Sequence, residues 1–189
     1  LTDCLRPRPP LLWLHQLRAD DYDGAAATLR GLSGTGTKGI SGKGATLAER
    51  RQFLSLAKLS LLAAGASSNA DEIVSIDAAL DLTEIQSGLV TRRSGGKGDD
   101  SAAPLPPLRL VESCLGEGNG GAAGSEPEDV LDAFSVFASA GGAFREANKT
   151  LLEACWRRAA AETDWEQLSE LRASAGDVKY VRSLVNTCL

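Results

Sequence analysis

The chain contains no methionine, few aromatic residues and a single histidine, and these shortages limit what it can do. A triad or a Cys/His site places histidine beside a nucleophile. His15 instead lies in the apolar run Leu12-Trp-Leu-His-Gln-Leu17, which is typical of helix packing. We therefore predict no enzyme, no catalytic residue and no cofactor.

Long apolar runs and a basic surface are also missing. No run approaches the roughly 18 apolar residues that cross a bilayer. Acidic residues (25) outnumber basic ones (20) and the two signs are interspersed, so direct nucleic-acid binding is not expected. The cysteines lack the paired spacing of a zinc site and are interpreted as reduced thiols: Cys4, Cys114, Cys155 and Cys188. With no methionine and a start at Leu1, the sequence is expected to be a segment of a larger protein.

Three stretches are rich in glycine and small polar residues, and we predict flexible insertions at 31–45, 94–104 and 116–126. The first contains Gly34-Thr-Gly-Thr-Lys-Gly-Ile-Ser-Gly-Lys43, which invites comparison with a phosphate-binding loop. Such a loop follows a strand and continues with Ser or Thr after its lysine. Here the run follows a predicted helix and Gly44 comes next, so the sequence does not support a phosphate site.

Alanine and leucine dominate the remainder, whereas β-branched residues are sparse, and this composition favours an all-α fold. We expect an irregular α-solenoid of stacked antiparallel helical hairpins, in which 1–189 form a single segment. Apolar periodicity, prolines and caps predict helices over 11–17, 22–32, 46–64, 70–90, 108–115, from 127 onward, 148–162, 165–173 and 178–189.

The helix predicted over 46–64 has apolar residues on two sides. Thr46-x-x-Glu49 is a capping box that starts it, and Gly65 ends it. One broad stripe, interrupted by Arg50, contains Leu47, Phe53, Leu54, Ala57, Leu61 and Ala64. A second stripe on the far side contains Leu56, Leu59 and Ala63. A helix that is apolar on both sides lies between two layers, one of which can belong to a partner.

Two segments share a helix end, a tight turn, an aspartate cap and an aromatic residue, as in arrays of helical hairpins: 17–25 and 160–168. A peptide-binding adaptor of tetratricopeptide type is therefore an alternative. That class needs a regular repeat of about 34 residues. No such period fills the sequence between the two segments.

Three motifs occur in one order: Trp13-Leu14-His15, then Tyr22-x-x-Ala25-Ala-Ala-Thr28-Leu29-x-Gly31-Leu32, then Leu54-Ser-Leu-Ala-Lys-Leu59. This order resembles the C-terminal helical region of the nucleoporin 133 family, scaffold proteins of the Y-shaped outer-ring complex of the nuclear pore. Scaffold nucleoporins of the 155 type have similar helical stacks and remain an alternative.

The resemblance implies a structural role in a large assembly at the nuclear envelope, which supports mRNA export and nuclear protein import. It implies docking, through helix–helix contacts, to the C-terminal helical domain of nucleoporin 107. The family's partner-contacting Leu-x-x-Leu pair falls on Leu56 and Leu59. Ala63 continues the same stripe, so the predicted partner-binding residues are Leu56, Leu59 and Ala63.

Overall fold

The computed structural model describes residues 9–34, 45–65, 69–95, 101–116 and 127–162. Within these ranges every regular element is a helix, which confirms the all-α prediction. The helices are α1 (Pro9–Arg18), α2 (Tyr22–Leu32), α3 (Leu47–Gly65), α4 (Ala70–Arg93), α5 (Pro107–Leu115), α6 (Pro127–Ala147) and α7 (Lys149–Glu162). The chain divides into two compact units, residues 1–106 and 107–189.

Local signals explain where the helices of the first unit begin. The Asp21 carboxylate accepts a hydrogen bond from the Gly24 amide (3.0 Å) and caps α2. At the start of α3, the Thr46 hydroxyl accepts from the Glu49 amide (3.2 Å), and the Thr46 amide donates to the Glu49 carboxylate (3.1 Å). These reciprocal bonds confirm the predicted capping box.

The first unit is built by packing each helix on the next one in the chain, from α1 to α4. Its core cluster is contributed by α2, α3 and α4: Ala26, Leu29, Leu32, Phe53, Leu54, Ala57, Leu61 and Ile76. Trp13 of α1 packs against this cluster, as expected of an apolar anchor in that helix. Because α3 contributes half of the cluster, it is the central helix of the unit.

Two buried glutamines fix neighbouring segments. The Gln16 side chain accepts a hydrogen bond from the Thr28 hydroxyl (2.8 Å), which joins α1 to α2. Gln86 of α4 donates to the carbonyl of Ala103 and accepts from the amide of Leu105, both at 2.8 Å. The end of the predicted 94–104 insertion is therefore anchored to α4.

The second unit packs α5 on α6 and α6 on α7. An aromatic contact joins α6 to α7, since the ring centroids of Phe134 and Trp156 lie 4.6 Å apart. Within α6, the ring centroids of Phe137 and Phe144 lie 5.3 Å apart. The Arg158 side chain donates to the Leu115 carbonyl (2.6 Å) and joins α7 to the end of α5.

The predicted helices agree with the structure wherever it describes them, with α4 continuing to Arg93 and α6 to Ala147. Gly31 and Leu32, which the sequence assigns both to the helix over 22–32 and to the first insertion, end α2. The predicted helices over 165–173 and 178–189, and most of each insertion, lie outside the described residues. The prediction of a single solenoid segment stays a prediction. In the portions described, no helix is both long and apolar enough to traverse a bilayer.

We expect the capping box to contribute measurably to stability. Replacing Thr46 with alanine removes the acceptor of the Glu49 amide and should lower the free energy of unfolding by about 1 kcal/mol. Denaturation in urea, followed by circular dichroism, measures this loss. Thr46→Ser keeps the hydroxyl and should retain most of the stability. Equal losses in both variants would contradict the capping role.

A second prediction concerns the kink in α6 at Gly141, whose φ of 83° and ψ of 177° are accessible almost only to glycine. Gly141→Ala should destabilise the chain by about 1–3 kcal/mol, because a Cβ strains that conformation even though the space around it is open. The neighbouring Gly142→Ala is the matched control, since Gly142 also has open space but no positive φ. Similar melting temperatures for the two variants would contradict the strain argument.

Candidate protein-binding surface

Helix α3 presents a stripe to solvent that contains no charged residue. The exposed positions recur at spacings of three and four, so they lie on one side of the helix. We call this the outer stripe: Ala48, Gln52, Ser55, Leu59, Leu62 and Ala63. Solvated helix faces normally carry charges. An uncharged exposed stripe is therefore typical of a surface that packs against protein.

Two leucines give the outer stripe its apolar character. Leu59 is 62% exposed and Leu62 is 44% exposed. Ala63 is also exposed, and it lies one turn from Leu59 on the same side. On the opposite side of α3, Phe53, Leu54 and Leu61 are buried, as the sequence predicts. The two sides of the helix therefore differ sharply in exposure.

One border of the outer stripe is formed by ion pairs to α4, which we call the seam. Arg51 pairs with Glu84 (2.8 Å) and Lys58 pairs with Asp77 (2.6 Å). The two pairs are seven residues apart on both helices, so α3 and α4 run antiparallel in constant register. Continuing that register by one turn brings Leu62 opposite the start of α4, where Val74 is 67% exposed.

The other border is formed by Leu56, which differs from the remaining predicted partner-binding residues. Leu56 is only partly exposed and packs against the core cluster. A partner-binding role for Leu56 stays a prediction, and the core cluster already covers much of this side chain, unlike that of Leu59. Ala64, which the sequence places in the same broad stripe as Phe53, Leu54 and Leu61, is exposed at the end of α3.

Leu62 lies in neither of the two stripes predicted from the sequence, and it is therefore not among the predicted partner-binding residues. The spacing 48-52-55-59-62 and its lack of charge would have identified the outer stripe. Placing the exposed Val74 near the level of Leu62 requires the register that the seam sets between α3 and α4. Tertiary pairing of that kind is not visible in the periodicity of one helix.

Arg50, which interrupts the buried stripe in the sequence, is half-buried in the structure. Burial lowers the pKa of its guanidinium, and arginine nevertheless remains protonated at neutral pH. Arg50 lies away from the outer stripe and adds no charge to that surface. Among residues of defined position, no group of three His, Cys, Asp or Glu is arranged to hold a metal ion.

The comparisons with known proteins identify the family of the chain. Residues 5–103 match the model of the non-repetitive/WGA-negative nucleoporin C-terminal family. The match covers nearly all of the first unit, including α3 and its outer stripe. The chain belongs to this nucleoporin family. Its location is therefore the nuclear pore complex at the nuclear envelope, as the resemblance implies.

A curated relative extends the similarity to the second unit. Nuclear pore complex protein NUP133 of Arabidopsis thaliana is 28% identical to this chain over an aligned length of 200 residues. The alignment covers 98% of this chain. The chain spans 15% of the length of that relative. No solved structure matches the chain. The resemblance to scaffold nucleoporins that the three motifs indicated is thus confirmed.

The two leucines of the Leu-x-x-Leu pair should differ in their effect on stability. Leu56→Ala should lower the free energy of unfolding by about 1–2 kcal/mol, because it removes atoms packed on the core cluster. Leu59→Ala should change it by no more than about 0.5 kcal/mol, as is usual at exposed positions. Urea denaturation of both variants compares them directly. Equal losses would show that Leu59 is packed within the chain.

Proposed function

We propose that the chain is a structural segment of the nuclear pore scaffold that docks on another nucleoporin through the outer stripe of α3. The main support is the uncharged, partly apolar outer stripe on α3, the central helix of the first unit. The match to the nucleoporin family covers nearly all of this unit. Leu59 and Leu62 are the apolar anchors, and the ion pairs of the seam form part of a polar rim.

The contact we propose is between helices. An outer stripe with spacings of three and four can receive the stripe of a second helix at an axial distance of about 8–10 Å. Burying the exposed parts of Leu59 and Leu62 contributes on the order of 2–3 kcal/mol in total, before the cost of association. That gain is modest, so residues outside α3 must also contribute to a stable complex.

The C-terminal helical domain of nucleoporin 107 is the partner we propose, on the basis of the family resemblance. The chain would thereby connect its protein to the stem of the Y-shaped complex and so support mRNA export and nuclear protein import. The described helices of the first unit favour docking over a tetratricopeptide-like groove. They span 10, 11, 19 and 24 residues, whereas such a groove is built from equal helical pairs.

The double variant Leu59→Glu, Leu62→Glu tests the proposed surface. Two carboxylates inserted into an apolar contact should weaken binding to the nucleoporin 107 domain by about a hundredfold or more. Isothermal titration calorimetry measures the affinity, and circular dichroism should show unchanged helicity because both side chains are exposed.

Ser75→Glu provides a control that adds a glutamate to an exposed position of α4, with one of the two negative charges that the double variant adds. Ser75 is exposed on α4, about 160° around the helix from Asp77 and therefore away from the seam. This variant should bind like the wild type. Retention of wild-type affinity by the double leucine variant would contradict the proposed docking surface.

A further inference from the structure

Helix α4 carries a row of carboxylates beside the outer stripe of α3. Asp77, Asp81 and Glu84 are spaced at four and three residues, so they lie on one side of α4. We call them the acidic row. Asp77 and Glu84 make the seam with Lys58 and Arg51, and the acidic row therefore lies next to the outer stripe. Any helix docked on the outer stripe has one flank over this row.

One carboxylate of the acidic row has no ion-pair partner in the part of the chain that the structure describes. Lys58 and Arg51 compensate Asp77 and Glu84. Asp81 lies between these two pairs in the sequence of α4 and is exposed. Among the described residues no cation pairs with it. Helix α4 itself contains no lysine or arginine before Arg92. The border of the docking surface on this side therefore has a net negative charge.

The outer stripe and its α4 border consequently favour different side chains on a partner. The outer stripe is uncharged and accepts apolar side chains. At its α4 border, a carboxylate on an incoming helix would face Asp81 and be repelled, whereas a lysine or arginine would be attracted. Long basic side chains also lay their methylene stems on neighbouring apolar surface, such as that of Leu62 and Val74, while keeping their charge in water.

We infer that the partner is an amphipathic helix with lysine or arginine along one flank, placed so that a basic side chain pairs with Asp81 when the apolar stripe covers Leu59 and Leu62. This inference rests on the proposed docking function. It defines the chemical class of the partner surface and its orientation. A helix turned by half a revolution about its axis would lose both the apolar contact and the ion pair.

Charge variants of Asp81 test the inference with the full 189-residue chain and the C-terminal helical domain of nucleoporin 107 as the probe. Asp81→Asn should weaken binding about two- to fivefold and Asp81→Lys about tenfold, mainly through a slower association rate. Both effects should shrink when the salt concentration rises from about 0.05 M to about 0.5 M, because screening shortens the reach of the charges. Surface plasmon resonance gives both rate constants.

Two controls separate this inference from the proposed function. Asp71→Asn removes an exposed carboxylate of α4 that lies outside the acidic row, and it should bind like the wild type. A Lys→Glu or Arg→Glu exchange on the docking helix of the probe should restore binding to Asp81→Lys.

The possible failures are distinct. If Asp81→Lys binds like the wild type at low salt while the double leucine variant does not bind, the outer stripe docks but the basic flank is wrong. If the double leucine variant still binds, the docking function itself is wrong and the inference fails with it.

Discussion

The packing of α3 between α2 and α4 is the constraint on which the first unit depends. Phe53, Leu54 and Leu61 are almost fully buried in this contact, and burial of side chains of this size stabilises a fold by about 1.5–3 kcal/mol each. Because that burial fixes the rotation of α3, it also fixes which residues remain outside. The outer stripe is therefore held on a rigid element before any partner arrives, and little ordering entropy remains to oppose docking.

The ion pairs of the seam matter for position more than for energy. Exposed pairs of this kind contribute only about 0–1 kcal/mol each. Arg51 and Lys58 are the charged side chains of α3 that lie nearest the outer stripe. Their ion pairs direct them toward α4 and away from that stripe. The outer stripe is therefore uncharged and lies beside a mildly acidic border. This arrangement suits contact with protein, and it gives no support to catalysis or nucleic-acid binding.

Much of this architecture could be predicted from the sequence because its signals are local. Caps such as Asp21 and Thr46 and helical periodicity located the helices, and the buried side of α3 followed from its apolar spacing.

The exposure of Leu56 and Leu62 was not predictable in the same way. Both leucines lie near the edges of the solvent-facing side, where the position of a neighbouring helix decides burial. That position depends on long-range contacts such as the Arg51–Glu84 pair, whose members are 33 residues apart in the sequence. The anchored end of the 94–104 segment likewise depends on Gln86, a distant buried side chain.

The central claim is that another protein covers the outer stripe of α3 in the nuclear pore. Its most direct test compares the accessibility of single cysteines placed along α3 in the isolated chain and in the assembled pore. In a background without native cysteines, thiols replacing Gln52, Ser55, Leu59 and Ala63 should react rapidly with a maleimide in the isolated chain, because all four positions are exposed. In the full protein within isolated nuclear envelopes, the same thiols should be protected, whereas a thiol at Ser75 should stay reactive. Equal reactivity of the α3 thiols in both settings would contradict the account.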